Sequence, residues 1–296
     1  MKLSELGEDR LLEQLLPLLP AGKDVVAAVG DDCAVIAPRE RRALLLLKTD
    51  CVVEGVHYEK KADPAAVGWK AMMRPLSDFA AMSGRPEFAL VTVILRKETT
   101  VAWVKKLYGG LTRAATKFGV TIVGGETSST RGPTAVSVYV SGSVEKERLV
   151  RRSGGKKGDA LFVTGRLGGS IRGKHLNFVP RIVESRWLTR HFSVHAMMDI
   201  SDGLGVDLPR LALASKLGYS IDREKLPLNP GCTIENALSD GEDYELLFAA
   251  APRQGKELEK RWRKKFPKLA LTRIGRLNPK FKIRNSKLQS GYVHFQ

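Results

Sequence analysis

Apolar positions along the first half of the chain follow helical and strand periods in turn. Leu11, Leu12, Leu15, Leu16 and Leu19 recur at helical spacing, which predicts an amphipathic opening helix. Val25–Val29 and Ala43–Leu47 are short apolar runs that end in acid-bearing turns at Asp31–Asp32 and Asp50, the pattern of buried strands whose ends face something polar. A helix is predicted over Pro64–Met73, since proline suits a first helical position, and Pro75 is expected to stop it. Val104, Leu107, Leu111, Ala114 and Phe118 mark a further helix. Strands follow at Val120–Val123 and at Val136, Val138 and Val140. The Ser-Gly and Lys-rich stretch from Arg151 to Asp159 reads as a domain boundary, giving units at 1–150 and 151–296. Beyond it come a strand at Ala160–Thr164, a helix after Asp202, strands at Tyr219–Ile221 and Tyr244–Ala249, and a basic helix near Lys256. Strands and helices mixed in both halves predict two α/β or α+β domains.

Acidic residues cluster beside glycine at the ends of these strands. They are Gly30-Asp31-Asp32, Thr49-Asp50, Ser77-Asp78, Gly125-Glu126, Asp199-Ile200-Ser201-Asp202-Gly203 and Asp240-Gly241-Glu242-Asp243. Each alone fits an ordinary turn or helix cap. Turns do not need repeated acids at apolar strand ends, however, and carboxylates gathered from several loops repel one another unless cations neutralise them. The joint pattern therefore points to a multi-Mg²⁺ site that bridges nucleotide phosphates. The segment Gly168–His175 nearly matches a Walker phosphate loop. It is set aside, because His175 stands where a Ser or Thr hydroxyl must ligate the metal.

Composition narrows the setting. No apolar run approaches the roughly 20 residues of a membrane span. The N-terminus has no signal-peptide pattern, and Cys33, Cys51 and Cys232 fit no metal-ligand spacing, so a soluble, cytoplasmic protein is expected. The formal charge of +17 is uneven: from Ala251 onward 14 Lys and Arg face only Glu257 and Glu259, an excess of +12. With Trp262, Phe266 and Phe281 interleaved, that segment is either a binder of RNA or another polyanion, or a solvated face with its aromatics packed inward. The second reading is preferred.

The ordered motifs resemble thiamine-monophosphate kinase. They are Gly30-Asp31-Asp32, Thr49-Asp50 with Val53-Glu54-Gly55-Val56-His57, Leu76-Ser77-Asp78-Phe79-Ala80-Ala81-Met82, Met198–Leu204, Gly241–Leu246 and Gly291-Tyr292-Val293-His294-Phe295. The Val-Glu-Gly-Val-His segment separates this family from aminoimidazole ribonucleotide synthetase and its other relatives. The resemblance implies a two-domain PurM-like fold, with an N-terminal mixed sheet that pairs across a homodimer and a C-terminal α/β sandwich. It implies direct transfer of the ATP γ-phosphoryl group to thiamine monophosphate, assisted by several Mg²⁺ ions. Carried over residue by residue, Asp32, Thr49, Asp50, Asp78, Glu126, Asp199 and Asp202 would be metal ligands, with Asp78 and Asp202 central to catalysis. Gly125, Glu126, Arg152 and Ser201 would contact ATP; His57, Glu242 and Tyr292 would contact thiamine monophosphate. Glu126 departs from the family's usual Asp, and Arg74-Pro75 from its usual Val-Asn. A different synthetase of the same superfamily, or a relative repurposed to bind nucleotide or RNA, is the alternative.

Overall fold

The computed structural model describes residues 8–15, 24–27, 31–38 and 43–279. After a helix α1 (Glu8–Leu15), strands β1 (Val25–Ala27), β2 (Ala34–Ile36) and β3 (Ala43–Val53) lead into helix α2 (Pro64–Ala81). Strand β4 (Arg85–Arg96), helix α3 (Val101–Lys117) and strands β5 (Thr121–Thr130) and β6 (Ala135–Glu145) complete the first half. Its sheet runs β1-β2-β3-β6-β4-β5, antiparallel except for the parallel β4–β5 pair at the edge. Alternate residues explain its two faces. Val136, Val138, Val140 and Val144 of β6 are buried on the side covered by helices. Phe88, Leu90 and Val123 of β4 and β5 stand exposed.

Helices α2 and α3 approach so closely that a Cβ on Gly68 would lie 2.0 Å from the Leu107 carbonyl oxygen, and one on Gly110 2.0 Å from that of Ala65. Glycine at both positions lets the backbones meet. Pro75 does not stop α2, contrary to the expectation from sequence. A proline inside a helix costs about 3 kcal/mol. Beyond it, however, Leu76 and Phe79 are wholly buried. Each such side chain returns about 1.5–3 kcal/mol of burial, enough to hold the last turns in place.

The second half contains β7 (Ala160–Thr164), a short α4 (Lys174–Asn177), α5 (Ile182–His191), β8 (Val194–Asp199) and α6 (Leu204–Ala214). It continues with β9 (Gly218–Ile221), α7 (Ile234–Ser239), β10 (Leu246–Ala250), α8 (Gly255–Lys265) and β11 (Leu271–Asn278). The sheet order is β8-β10-β7-β11-β9, antiparallel throughout. Both faces of β7 and β10 are buried, as in a sandwich. One face packs Leu161, Val163 and Leu247 against Leu204, Leu208 and Leu211 of α6. The other packs Phe162 and Phe248 with Leu188, Leu258 and Trp262, in a core continuous with that around α2. Trp262 is 1 % exposed and sits against Trp187 and Phe266, so these aromatics of the basic segment point inward. Among the described residues no helix is long and apolar enough to cross a membrane.

Candidate active site

Three carboxylates from distant parts of the chain converge where α2 meets the second sheet. Asp32 follows β1, Asp78 lies in the last turns of α2 and Asp199 ends β8; all three are buried. One oxygen of each lies within 4.8 Å of the others. Ser77 Oγ donates to Asp199 Oδ2 at 2.6 Å. Asp50 joins from β3, where it shares a face with Lys48 by strand alternation. Lys48 Nζ lies 3.0 Å from Asp78 Oδ1 and 3.7 Å from Asp50 Oδ2, and Arg74 Nη2 lies 3.5 Å from Asp50 Oδ1. Arg152 grips Asp32 through Nη2 at 2.7 Å and Nε at 3.2 Å, and its backbone N–H donates to Asp31 Oδ1 at 2.8 Å.

The crowding of like charges shows in the protonation equilibria. Burial and the adjacent Asp32 push Asp199 up to about 7. Burial also raises Asp78, against the pull of Lys48. For Asp50 burial is more than offset by Lys48 and Arg74, which hold it below the usual carboxylate value. Hard oxygen donors crowded this tightly suit a divalent cation. Asp50 Oδ2 is buried and makes no hydrogen bond among the described residues, with the Lys48 ammonium 3.7 Å away. The donor set fits Mg²⁺.

A second group lies beside the first. In the Val53–His57 turn, the Val53 N–H donates to His57 Nδ1 at 3.1 Å and Glu54 pairs with Arg96 through both oxygens. Lys70, fully buried on α2, donates to the His57 carbonyl oxygen at 2.6 Å and sits 2.6 and 2.8 Å from the two Glu242 oxygens. Residues Lys70, Arg74 and Asp78 are spaced by four and share one face of the helix. Glu242 and Tyr244 both have left-handed backbone, at φ 53° and 50°. Non-glycine residues hold that conformation at a cost of about 1–3 kcal/mol, and it recurs at functional sites. Tyr244 is stacked on Phe178 at 3.8 Å between ring centres.

The Asp199–Gly203 loop is pinned from below by Asp207. This fully buried carboxylate accepts the N–H groups of Ser201 and Asp202 at 3.0 Å each. Arg210 bridges Asp202 and Asp207.

Other residues singled out from the sequence fall elsewhere. Thr49 points to the opposite face of the sheet, its Oγ1 3.3 Å from Ser137 Oγ. Gly125 and Glu126 lie on the exposed edge strand β5, where a Cβ on Gly125 would meet the Val91 carbonyl oxygen at 1.8 Å. Glu126 is in register with Thr92, Ser137 and Cys51 across β4, β6 and β3, three strand spacings or about 14 Å from the strand that carries Asp50. Tyr292 lies outside the described residues, as do Gly30 and Phe281. In the near-match to a phosphate loop, the Gly168 and Gly169 N–H groups donate to Asp243 and Asp240, and Lys174 pairs with Glu245. Protein carboxylates fill the places that phosphates would need.

Sequence reasoning missed Lys48, Lys70, Arg74, Asp207 and Arg210. The four-residue spacing of charge along the otherwise apolar α2 was the available signal for two of them.

Residues 30–144 match the family model for the N-terminal domain of AIR synthase related proteins, and residues 169–283 that for the C-terminal domain. The thiamine-monophosphate kinase of Rhodopirellula baltica is 37% identical over 79% of this chain and 79% of its own length. That of Aquifex aeolicus is 34% identical over 94% and 93%. The chain belongs to the thiamine-monophosphate kinase family. Its fold superposes on AaThiL complexed with AMPPCP and TMP at a TM-score of 0.84, with 33% identity and 99% of each chain covered. The hydrogenase maturation protein HypE, 17% identical in its complex with HypF, shares the fold at a TM-score of 0.71. The two-domain PurM-like architecture expected of the family is thus the one this chain adopts.

Proposed function

We propose that this kinase-family chain transfers the γ-phosphoryl group of ATP to thiamine monophosphate, giving thiamine diphosphate, at the acid cluster between its two halves. The observation that carries the reading is the convergence of Asp32, Asp78 and Asp199. The AMPPCP and TMP in the AaThiL complex support both substrates. Mg²⁺ would be held by Asp32, Asp50, Asp78 and Asp199, with Asp202 beside them, and would supply neutralisation of the phosphate charge.

The chain's own groups then do the positioning. Arg152 offers a planar fork that suits a phosphate as well as it suits Asp32. Ser201 holds the nucleotide from a loop fixed by Asp207. Glu242 and His57, joined through Lys70, form the thiamine monophosphate side, and Tyr292 stacks on a thiamine ring. No covalent intermediate is required, so alignment and electrostatics carry the rate.

The working unit in this reading is a homodimer built on the open face of the first sheet. Exposed Phe88, Leu90 and Val123 support it. So does the position of Glu126, too far from Asp50 of its own chain and able to join an acid cluster only from a second copy. Phe88→Asp with Val123→Asp is expected to give monomers by light scattering; an unchanged mass would exclude this face. We place the domain boundary at 151–159, between the two sheets. A cytoplasmic setting fits three free cysteines, and an intrachain disulfide in the native protein would argue against it.

The activity itself is tested with purified protein, ATP, Mg²⁺ and thiamine monophosphate, using thiamine as a control acceptor. Thiamine diphosphate is expected from the monophosphate alone. A folded protein that binds ATP and forms no product would refute the assignment.

A further inference from the structure

Three of the four acids of the cluster are already matched with a protein cation, and the fourth, Asp199, accepts the Ser77 hydroxyl. Arg152 holds Asp32, Lys48 holds Asp78, and Arg74 reaches Asp50. Four carboxylates, Asp32, Asp50, Asp78 and Asp199, thus face three cations, a formal balance of −1. Two of the cations have other partners nearby: Arg152 is also tied through its backbone to Asp31, and Arg74 donates to the Cys51 carbonyl oxygen at 2.9 Å. Lys48 has no described side-chain partner other than Asp50 and Asp78. It stands in the middle of β3, two residues before Asp50 on the same face, so its Cα is fixed by the β6 pairing. Its side chain is only 25% exposed. The ammonium lies 3.0 and 3.7 Å from one oxygen of each aspartate, the bridging position that a metal ion shared by those carboxylates would need.

We propose that the Lys48 ammonium is a resident cation of the acid cluster. It occupies the bridge between Asp50 and Asp78, and divalent ions bind around it, on Asp32, Asp199 and the remaining oxygens. The inference rests on reading the cluster as a divalent-cation site. Its physical content is a charge count. A divalent ion placed within a few ångströms of a fixed ammonium is repelled, and inside a protein that repulsion is poorly screened. Removing the ammonium takes the formal balance from −1 to −2 and frees two oxygens at once. The variant should therefore gain a metal site that the wild type lacks. In the wild type, Lys48 supplies part of the neutralisation that would otherwise come from solution, and metal dependence is correspondingly less steep.

The test counts Mn²⁺ bound by the full chain, by electron paramagnetic resonance of free Mn²⁺ and by calorimetry, without nucleotide. Lys48→Gln is expected to bind one more Mn²⁺ per protomer, or to bind its ions at least tenfold more tightly. Lys48→Arg, which keeps the charge, is expected to keep the wild-type count. An unchanged count and affinity in Lys48→Gln, or weaker binding, would overturn the proposal while leaving the metal site itself in place. A wild type that binds no Mn²⁺ would overturn the underlying reading as well. A second measurement needs no substitution. Acetylation of wild-type Lys48 by acetic anhydride, read by mass spectrometry, is expected to be slow and unchanged by saturating Mg²⁺. Faster acetylation with Mg²⁺ would mean that the ion displaces the ammonium, which overturns residence.

Discussion

Asp207 offers the sharpest test of how the Asp199–Gly203 loop is held. It lies on α6 with its carboxylate wholly buried, and one oxygen, Oδ2, accepts both the Ser201 and Asp202 N–H groups at 3.0 Å. Burial and the adjacent Asp202 push Asp207 up to about 8, so the comparison is made at about pH 9, where the group is ionised and hydrogen bonds to a charged group contribute about 1.5–3 kcal/mol each. Because a single oxygen serves both donors, the two do not add fully, and Asp207→Ala is expected to cost about 3 kcal/mol. Asp207→Asn is the informative partner. Its amide oxygen can still accept both N–H groups, so the loop keeps its shape. Only the charge is lost, together with the contact to Arg210 at 3.3 Å, for a cost of about 1–2 kcal/mol. Urea denaturation measures both costs. If Ser201 and Asp202 act at the site as proposed, the Ala variant should also lose about 10²-fold or more in kcat/KM, the effect of misplacing reacting groups by about an ångström. The Asn variant should stay within about tenfold of the wild type. If Ala and Asn are equally damaged, charge rather than loop geometry is what Asp207 supplies. If Ala is as stable and active as the wild type, the pinning argument fails.

Two further outcomes follow from the same geometry. Burial pushes Asp243 up to about 6, against Lys174 and the hydrogen bonds from Ser170 and Gly168. The folded state therefore binds more protons than the unfolded chain between pH 4 and 6, and stability falls as pH rises through that window, by up to about 3 kcal/mol from this group. Asp243→Asn should remove that slope in denaturation curves taken from pH 4.5 to 7.5, and an unaltered slope would refute the assignment. Arg152→Met strands Asp32, whose side chain has no exposure, and should destabilise the metal-free protein by about 3–5 kcal/mol. Saturating Mg²⁺ should then raise its melting temperature more than it raises that of the wild type; an equal rise would show that the ion does not reach Asp32.

Much of this was legible because the acids stand beside apolar runs in the sequence. Only Asp199 ends a strand: Asp50 lies inside β3 and Asp78 inside α2, not in the turns expected, because the apolar pattern resumes beyond each of them; the fold nevertheless brings Asp78 and Asp199 together with Asp32. The resemblance supplied what spacing could not, since nothing local in the sequence says that Asp32 and Asp199 meet. The elements that escaped were those whose pattern is blurred. Strand β4 has apolar residues on both faces, because its outer face, with Phe88 and Leu90, lies open. Strand β11 hides in a segment dominated by charge, where Arg273 and Arg276 each directly precede a buried residue, Ile274 and Leu277. Helix α2 outran Pro75 because burial beyond it outweighs a local penalty, a tertiary effect that no window of sequence contains. The cations were missed for a different reason. Lys48 and Lys70 sit on strand and helix faces that periodicity marks as core, where a charge reads as an exception until its partner is seen.

The acidic segment at 240–245 shows how far such reasoning reaches. Its four acids look alike in the sequence, yet the fold gives them different work. Asp240 accepts the Gly169 N–H, and Asp243 accepts the Gly168 N–H and the Ser170 hydroxyl. Glu245 takes both arms of Arg181 and the Thr164 hydroxyl. These three are structural anchors that close the glycine turn after β7. Only Glu242 faces away from that turn, carried on a left-handed backbone towards Lys70 and the His57 loop. The strain at Glu242 is thus held by anchors on both sides of it, and that is the condition under which an unfavourable backbone persists. Relaxing the anchors should release Glu242 before it unfolds anything else. Glu242, paired with the fully buried Lys70, is thus the one acid of the segment turned towards the His57 loop, the placement on which its proposed substrate role rests.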